Sequence, residues 1–272
     1  DNFGYLYAYN YQKKNLLWAK NYKVPFKSNL KIFKNKLIGV DQKNNLFYFN
    51  KFNGDILGSI PTEEVSLTSN FLNNITLSKQ DTFLVNTYGT VYSINSNTMQ
   101  LNWFLNLNDS SSNDASNIFE GTEISYNNEK LFIATKNFTY IINSKNGSII
   151  YKVNFSSFIK PINIGEYLFT ISKNNLLIGL NLNDGKIIYS SDINELISNF
   201  LKTKKKQVKL KSLMVVNNKL FVFLKNSYYL QISFDGKIKK INKLPTKKIS
   251  YPIFSNGSMI YFNNKNKIII IN

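Results

Sequence analysis

Two loose groups of carboxylates, one run of lysines and two tryptophans are the side chains whose type and spacing invite a chemical reading. Glu63-Glu64 form the first acidic group, and Asp109, Asp114, Glu120 and Glu123 form the second. Acid–base catalysis needs a nucleophile within reach, a metal needs ligands at fixed spacing, and a phosphate site needs a glycine-rich loop. None of these adjoins either group, so the acids read as surface residues open to a partner. Leu196, Ile197, Phe200 and Leu201 are spaced for one apolar helix face behind a Ser191-Asp192 cap, and Lys202, Lys204, Lys205, Lys206, Lys209 and Lys211 follow directly. That stretch reads as a short helix with a basic tail, which either docks a partner or is simply solvated. Trp18 and Trp103 would suit a stacking platform for a ligand, but they occupy the same place in a repeat as Tyr151 and Tyr189. A residue that recurs once per repeat is a packing anchor.

What the chain lacks narrows the chemistry further. It has no cysteine and no histidine, which removes disulfides, thiol nucleophiles, imidazole bases and the usual zinc sites together. The expectation is a protein without catalytic, cofactor-binding or metal-binding residues. Thirty-four basic residues against 16 acidic ones give a formal charge of +18. The lysines are spread along the whole chain beside abundant Asn and Ile, the pattern of a solvated surface and of base-composition bias, not of a nucleic-acid site. No apolar run reaches the ~18 residues a membrane span requires, and no signal-peptide core is visible.

The elements that position these residues come from an internal repeat. Leu6–Asn10, Phe47–Asn50, Val91–Asn95, Tyr140–Asn143 and Leu177–Asn181 are short strand-like segments that each close on Asn. An anchor follows eight residues after every one of those Asn residues, at Trp18, Gly58, Trp103, Tyr151 and Tyr189. Between Asn and anchor lie Asn53-Gly54-Asp55, Asn146-Gly147-Ser148 and Asp184-Gly185-Lys186, with a further copy at Asp235-Gly236-Lys237. Asn-Gly and Asp-Gly predict hairpins, because tight turns need the positive φ that Gly adopts freely. Alternating apolar segments such as 36–40, 130–134, 166–170 and 219–223 predict the preceding strand.

With a sixth anchor position at Lys240, after the Asp235-Gly236-Lys237 turn, anchors recur every 38 to 51 residues, the period of a four-stranded propeller blade. The expected fold is therefore all-β, a β-propeller of four-stranded antiparallel blades forming one domain over 1–272. Strand counting gives five complete blades and two partial ones, which predicts a fragment of a seven- or eight-bladed parent lacking upstream residues. Long connections at 59–66, 106–122 and 191–212 leave the sheets at the end opposite the Gly turns. Long loops on a rigid scaffold are where function concentrates.

Gly4-Tyr5-Leu6-Tyr7-Ala8-Tyr9-Asn10 followed by Leu16-Leu17-Trp18 resembles the PQQ-like repeat, which runs Gly, apolar, Ala, Asp, Thr-Gly-Lys, Trp. Asn181 to Tyr189 matches again, with Tyr in place of Trp. The resemblance spans essentially the whole chain; Asn stands where the family prefers Asp, and two anchors keep Trp. Quinone-dependent dehydrogenases of this family hold their cofactor beside a vicinal cysteine pair that this chain does not have. Kinase sensor ectodomains bring a dimer strand or membrane anchor, neither of which is visible. The branch most similar is the BamB-type assembly lipoprotein. That resemblance implies a non-catalytic scaffold, periplasmic and associated with the outer membrane, whose partner belongs to the β-barrel assembly machinery. It also implies membrane association through a lipid anchor outside this chain.

Overall fold

A computed structural model describes residues 1–63, 74–108, 119, 121–157, 159–246 and 250–271. The chain divides into two compact units, Asp1–Asn154 and Phe155–Asn272. The first unit opens with a two-stranded sheet, β1 (Tyr5–Asn10) and β2 (Asn15–Asn21). Three four-stranded sheets follow: β3 (Lys31–Phe33), β4 (Lys36–Val40), β5 (Leu46–Asn50) and β6 (Ile56–Ile60); β7 (Ile75–Leu77), β8 (Asp81–Val85), β9 (Thr90–Asn95) and β10 (Leu101–Asn106); and β11 (Ser125–Asn127), β12 (Lys130–Ala134), β13 (Thr139–Asn143) and β14 (Ile149–Val153).

The second unit has β15 (Ile162–Ile164), β16 (Tyr167–Ile171), β17 (Leu176–Asn181) and β18 (Ile187–Asp192), then helix α1 (Ile193–Leu201). It continues with β19 (Leu210–Val216), β20 (Lys219–Leu224), β21 (Tyr228–Ile232) and β22 (Ile238–Lys243), and ends on the three-stranded sheet β23 (Ile253–Ser255), β24 (Ser258–Phe262) and β25 (Ile268–Ile271). Every sheet is an antiparallel meander in chain order. Within the units the first strands of successive sheets are neighbours, β3 with β7, β7 with β11, and β15 with β19, as in propeller blades.

The sequence pattern follows from this stacking. The second strand of each four-stranded sheet is largely covered on both faces, so it reads as an apolar run such as Leu131-Phe132-Ile133-Ala134, buried throughout. The core is a series of layers between sheets. Phe83 and Val85 pack with Leu131, Ile133 and Ile142 on one side of β8, while Leu84 packs with Ile38, Val40 and Tyr48 on the other. The closing strand of each outer hairpin lies at a sheet edge and exposes bulky residues, among them Leu16, Leu17, Ile56, Ile187 and Ile188.

The outer hairpins share one irregularity. Ala8 pairs with Trp18 and Tyr9 with Leu16, leaving Leu17 as an extra residue. The same slip leaves Leu57, Asn102, Ile150, Ile188 and Lys239 extra in the later blades. A bulge thus sits immediately before every anchor position, re-aiming the anchor and bending the exposed edge away from intermolecular pairing.

The turns themselves are longer than the two-residue hairpin that Asn-Gly suggests. Gly54 N–H donates to the Asn50 carbonyl at 2.8 Å and Gly147 N–H to the Asn143 carbonyl at 2.9 Å. The glycines take positive φ, but the residues before them do not, because this wider loop needs a single left-handed residue. The Asn at each strand end starts the turn, its Oδ1 accepting from the N–H two residues on at Asn50, Asn143 and Asn181.

The anchor rings close on the next blade's turn. Trp18 Nε1 donates to the Lys51 carbonyl at 3.1 Å, and Trp103 Nε1 to the Ser144 carbonyl at 2.9 Å. A Cβ on Gly54 would lie 2.9 Å from the Trp18 ring, one on Gly147 2.7 Å from Trp103, and one on Gly236 3.0 Å from Tyr189. Glycine is required there for both its φ and its lack of a side chain. Tyr151 is half-buried and pairs with Ile141 just past the bulge of its own hairpin.

Candidate functional site

At the opposite end of the sheets lie the turns between second and third strands and the connections that lead to the next blade. In the β4–β5 turn the Asp41 carboxylate accepts from the N–H groups of Lys43 and Asn45, both at 2.8 Å. Asn44 is fully buried with φ +67°. Its Nδ2 donates to the Glu63 carbonyl at 3.0 Å and to Thr87 Oγ1 at 2.8 Å. Glu63 in turn accepts at Oε2 from Asn86 Nδ2 at 2.7 Å and from Thr90 Oγ1 at 2.9 Å. Glu63 is exposed, and its carboxylate also ties the exit of one blade to the turn of the next.

The β16–β17 turn repeats the device. Asn175, buried with φ +61°, donates through Nδ2 to the Val208 carbonyl at 3.0 Å and accepts at its backbone carbonyl from Ile193 N–H at 3.0 Å. Asn194 Oδ1 accepts from Val208 N–H at 2.9 Å. The connection 193–209 is thus fastened at both ends. Asn44 and Asn175 were not singled out in the sequence, where they sit among many other Asn residues. The usable signal is position, three residues after the Asp41 or Ser172 that opens the turn.

Helix α1 begins at its cap Asp192, whose carboxylate accepts from Asn194 N–H at 2.8 Å and pairs with Lys205 Nζ at 2.6 Å. Burial disfavours ionisation of Asp192, but the bonds from Lys205 and the Asn194 N–H outweigh it and hold the carboxyl below its ordinary range. The helix ends at Lys202 in the left-handed conformation, with Thr203 N–H donating to the Ser198 carbonyl at 2.9 Å. Its buried face is Ile193, Asn194 and Ser198, with Ile197 packed against the core. This corrects the expected stripe of Leu196, Ile197, Phe200 and Leu201. The helix is only nine residues long and is held by its N-terminal turn, so Phe200 and Leu201 are carried clear of the core and stand about half exposed.

Lys202, Lys204, Lys205 and Lys206 are exposed beside them. Glu123 is exposed between buried Thr122 and Ile124. Glu64, Asp109, Asp114 and Glu120 lie outside the described residues. No group of three or more acidic residues placed to hold a metal occurs among the described residues. A cavity of ≈ 310 Å³ between the last two sheets is lined among others by Phe221, Tyr229, Gln231, Phe254 and Met259, which offer apolar packing with one phenol and one amide for hydrogen bonding.

Stacked four-stranded meanders, an Asn-started outer turn and an aromatic anchor docked on the next turn define a β-propeller of the PQQ-like repeat class. The model of the family described as outer membrane protein assembly factor BamB matches residues 1–191, and the chain belongs to that family. BamB from Moraxella catarrhalis has a similar structure, with a TM-score of 0.79 at 10% identity over 99% of this chain and 79% of that one. The computationally designed Ika8 protein is also similar, with a TM-score of 0.69 at 8% identity over 95% of this chain and 74% of that one. No curated protein matches the sequence.

Proposed function

We propose that this protein is a non-catalytic scaffold for outer-membrane β-barrel assembly, working in the periplasm at the outer membrane and presenting its inter-blade connections to a protein of the assembly machinery. The family match carries the reading. The build of the connections supports it: Asn44, Glu63, Asn175 and Asn194 spend their polar groups on fastening the loop bases, leaving the tips to meet a partner from a rigid platform. The acids Glu63, Glu64, Asp109, Asp114, Glu120 and Glu123 and the lysines Lys202, Lys204, Lys205 and Lys206 are the candidate contacts, with charges of both signs that orient the encounter. The full-length protein, tagged and used to capture partners from detergent-solubilised envelopes of its native cell, should retain β-barrel assembly components. Capture of no envelope protein would overturn the proposal, and so would dye-coupled alcohol oxidation on addition of quinone and calcium.

A further inference from the structure

The end of α1 differs from the other described connections in what it exposes. Every residue from Asn199 to Gln207 is exposed, so this stretch projects from the sheet instead of packing along it. It presents Phe200 and Leu201, 46% and 50% exposed, followed by Lys202, Lys204, Lys205 and Lys206, and it contains no carboxylate. The base beneath is rigid, because Asp192 caps the helix and holds Lys205 while Asn175 and Asn194 bond Val208. The result is a fixed prong with an aromatic–aliphatic pair at its tip and ammonium groups around it.

We infer that this prong docks on an anionic lipid surface, with Phe200 and Leu201 entering the headgroup–acyl boundary and Lys202, Lys204 and Lys206 binding phosphates. Charge complementarity favours this occupant: the prong is uniformly cationic, on a chain of formal charge +18. A protruding apolar pair with flexible lysine stems suits a deformable interface, where the stems lie along the apolar layer while the ammonium groups stay in water. An acidic protein would need a preformed pocket for the two side chains. The inference rests on the connections being the functional end of the molecule, and it gives this one a lipid contact beside the protein contacts proposed above.

The test is co-sedimentation of the full chain with vesicles of phosphatidylglycerol mixed into phosphatidylcholine, against phosphatidylcholine alone. The wild type should bind the anionic vesicles and release as salt rises. Lys202→Glu/Lys204→Glu/Lys206→Glu, which spares the Lys205 ion pair, should weaken binding on the order of a hundredfold, from roughly fivefold for each lysine lost. Phe200→Ser/Leu201→Ser should weaken it about tenfold. Lys13→Glu/Lys14→Glu, at an outer hairpin turn, should leave it unchanged. Equal loss in that control would reduce the effect to net charge and overturn the inference. Absence of vesicle binding while envelope capture persists and depends on the same lysines would also overturn it, assigning the prong to an acidic protein and leaving the scaffold proposal standing.

Discussion

The outer hairpin turns and the inter-blade connections leave each sheet at opposite ends and use the same residue types for different purposes. At the hairpins, Asn, Gly and an aromatic ring are spent on stacking one blade against the next: Trp103 lies over Gly147 and donates to Ser144. At the connections, Asn is buried at the base and the apolar and charged groups point outward, as at Asn175 and Phe200. The contrast teaches that repetition here marks stability, while departure from repetition marks the surfaces where we propose recognition. An anchor must recur because each blade needs one, whereas the prong proposed to dock on lipid would be needed once.

Breaking the hairpin end should have the largest effects. Trp103→Ala removes a ring packed against the next turn and should destabilise the chain by about 3 kcal/mol in urea unfolding; a midpoint within error of wild type would show that the ring carries no inter-blade packing. Gly147→Ala should cost about 2 kcal/mol, combining strain at φ +74° with a Cβ pressed into the Trp103 ring. Asn44→Ala, at the base of a connection, should cost roughly 1 to 2 kcal/mol by leaving the Glu63 carbonyl and Thr87 without their donor. If it also reduced partner capture at a temperature where the chain is fully folded, the tie between loop base and recognition would be sharpened.

A smaller effect separates packing from hydrogen bonding in the core. Tyr48 is fully buried, and among the described residues its hydroxyl makes no hydrogen bond of good geometry, Thr82 being the nearest group that interacts with it. Burial pushes its phenol up to about 12, with nearby Thr82 opposing the shift and Asp81 adding to it. The unfolded phenol ionises near 10.0, so the stability tied to the neutral form is fully present below pH 10 and is lost as pH rises from there through about 12. Tyr48→Phe should therefore lie within about 0.5 kcal/mol of wild type at neutral pH and lose less stability at pH 11. Equal alkaline losses in both proteins would mean that Tyr48 does not titrate differently on folding.

The propeller was legible in the sequence because its signals are local: strand, Asn, turn and anchor fall within one hairpin, and their fixed offset survives divergence. The reason for that offset was not legible. A bulge before Trp18 or Tyr189 depends on which residue pairs across the strands, and pairing is a property of the folded sheet. The site was less legible still. Glu63 is an exposed acid, as the sequence suggests, but its bonds to Asn86 and Thr90, more than twenty residues away, exist only in the fold. The helix face was misjudged because periodicity places side chains around an axis but cannot say how far the core extends beneath a nine-residue helix.

Hydrogen exchange on the full chain, with and without the captured envelope assembly, tests the division of labour most directly. The account predicts added protection across 193–209 and around Glu123, with the hairpin turns at 50–55 and 143–148 unchanged. Protection gained at those turns and absent from 193–209 would contradict it.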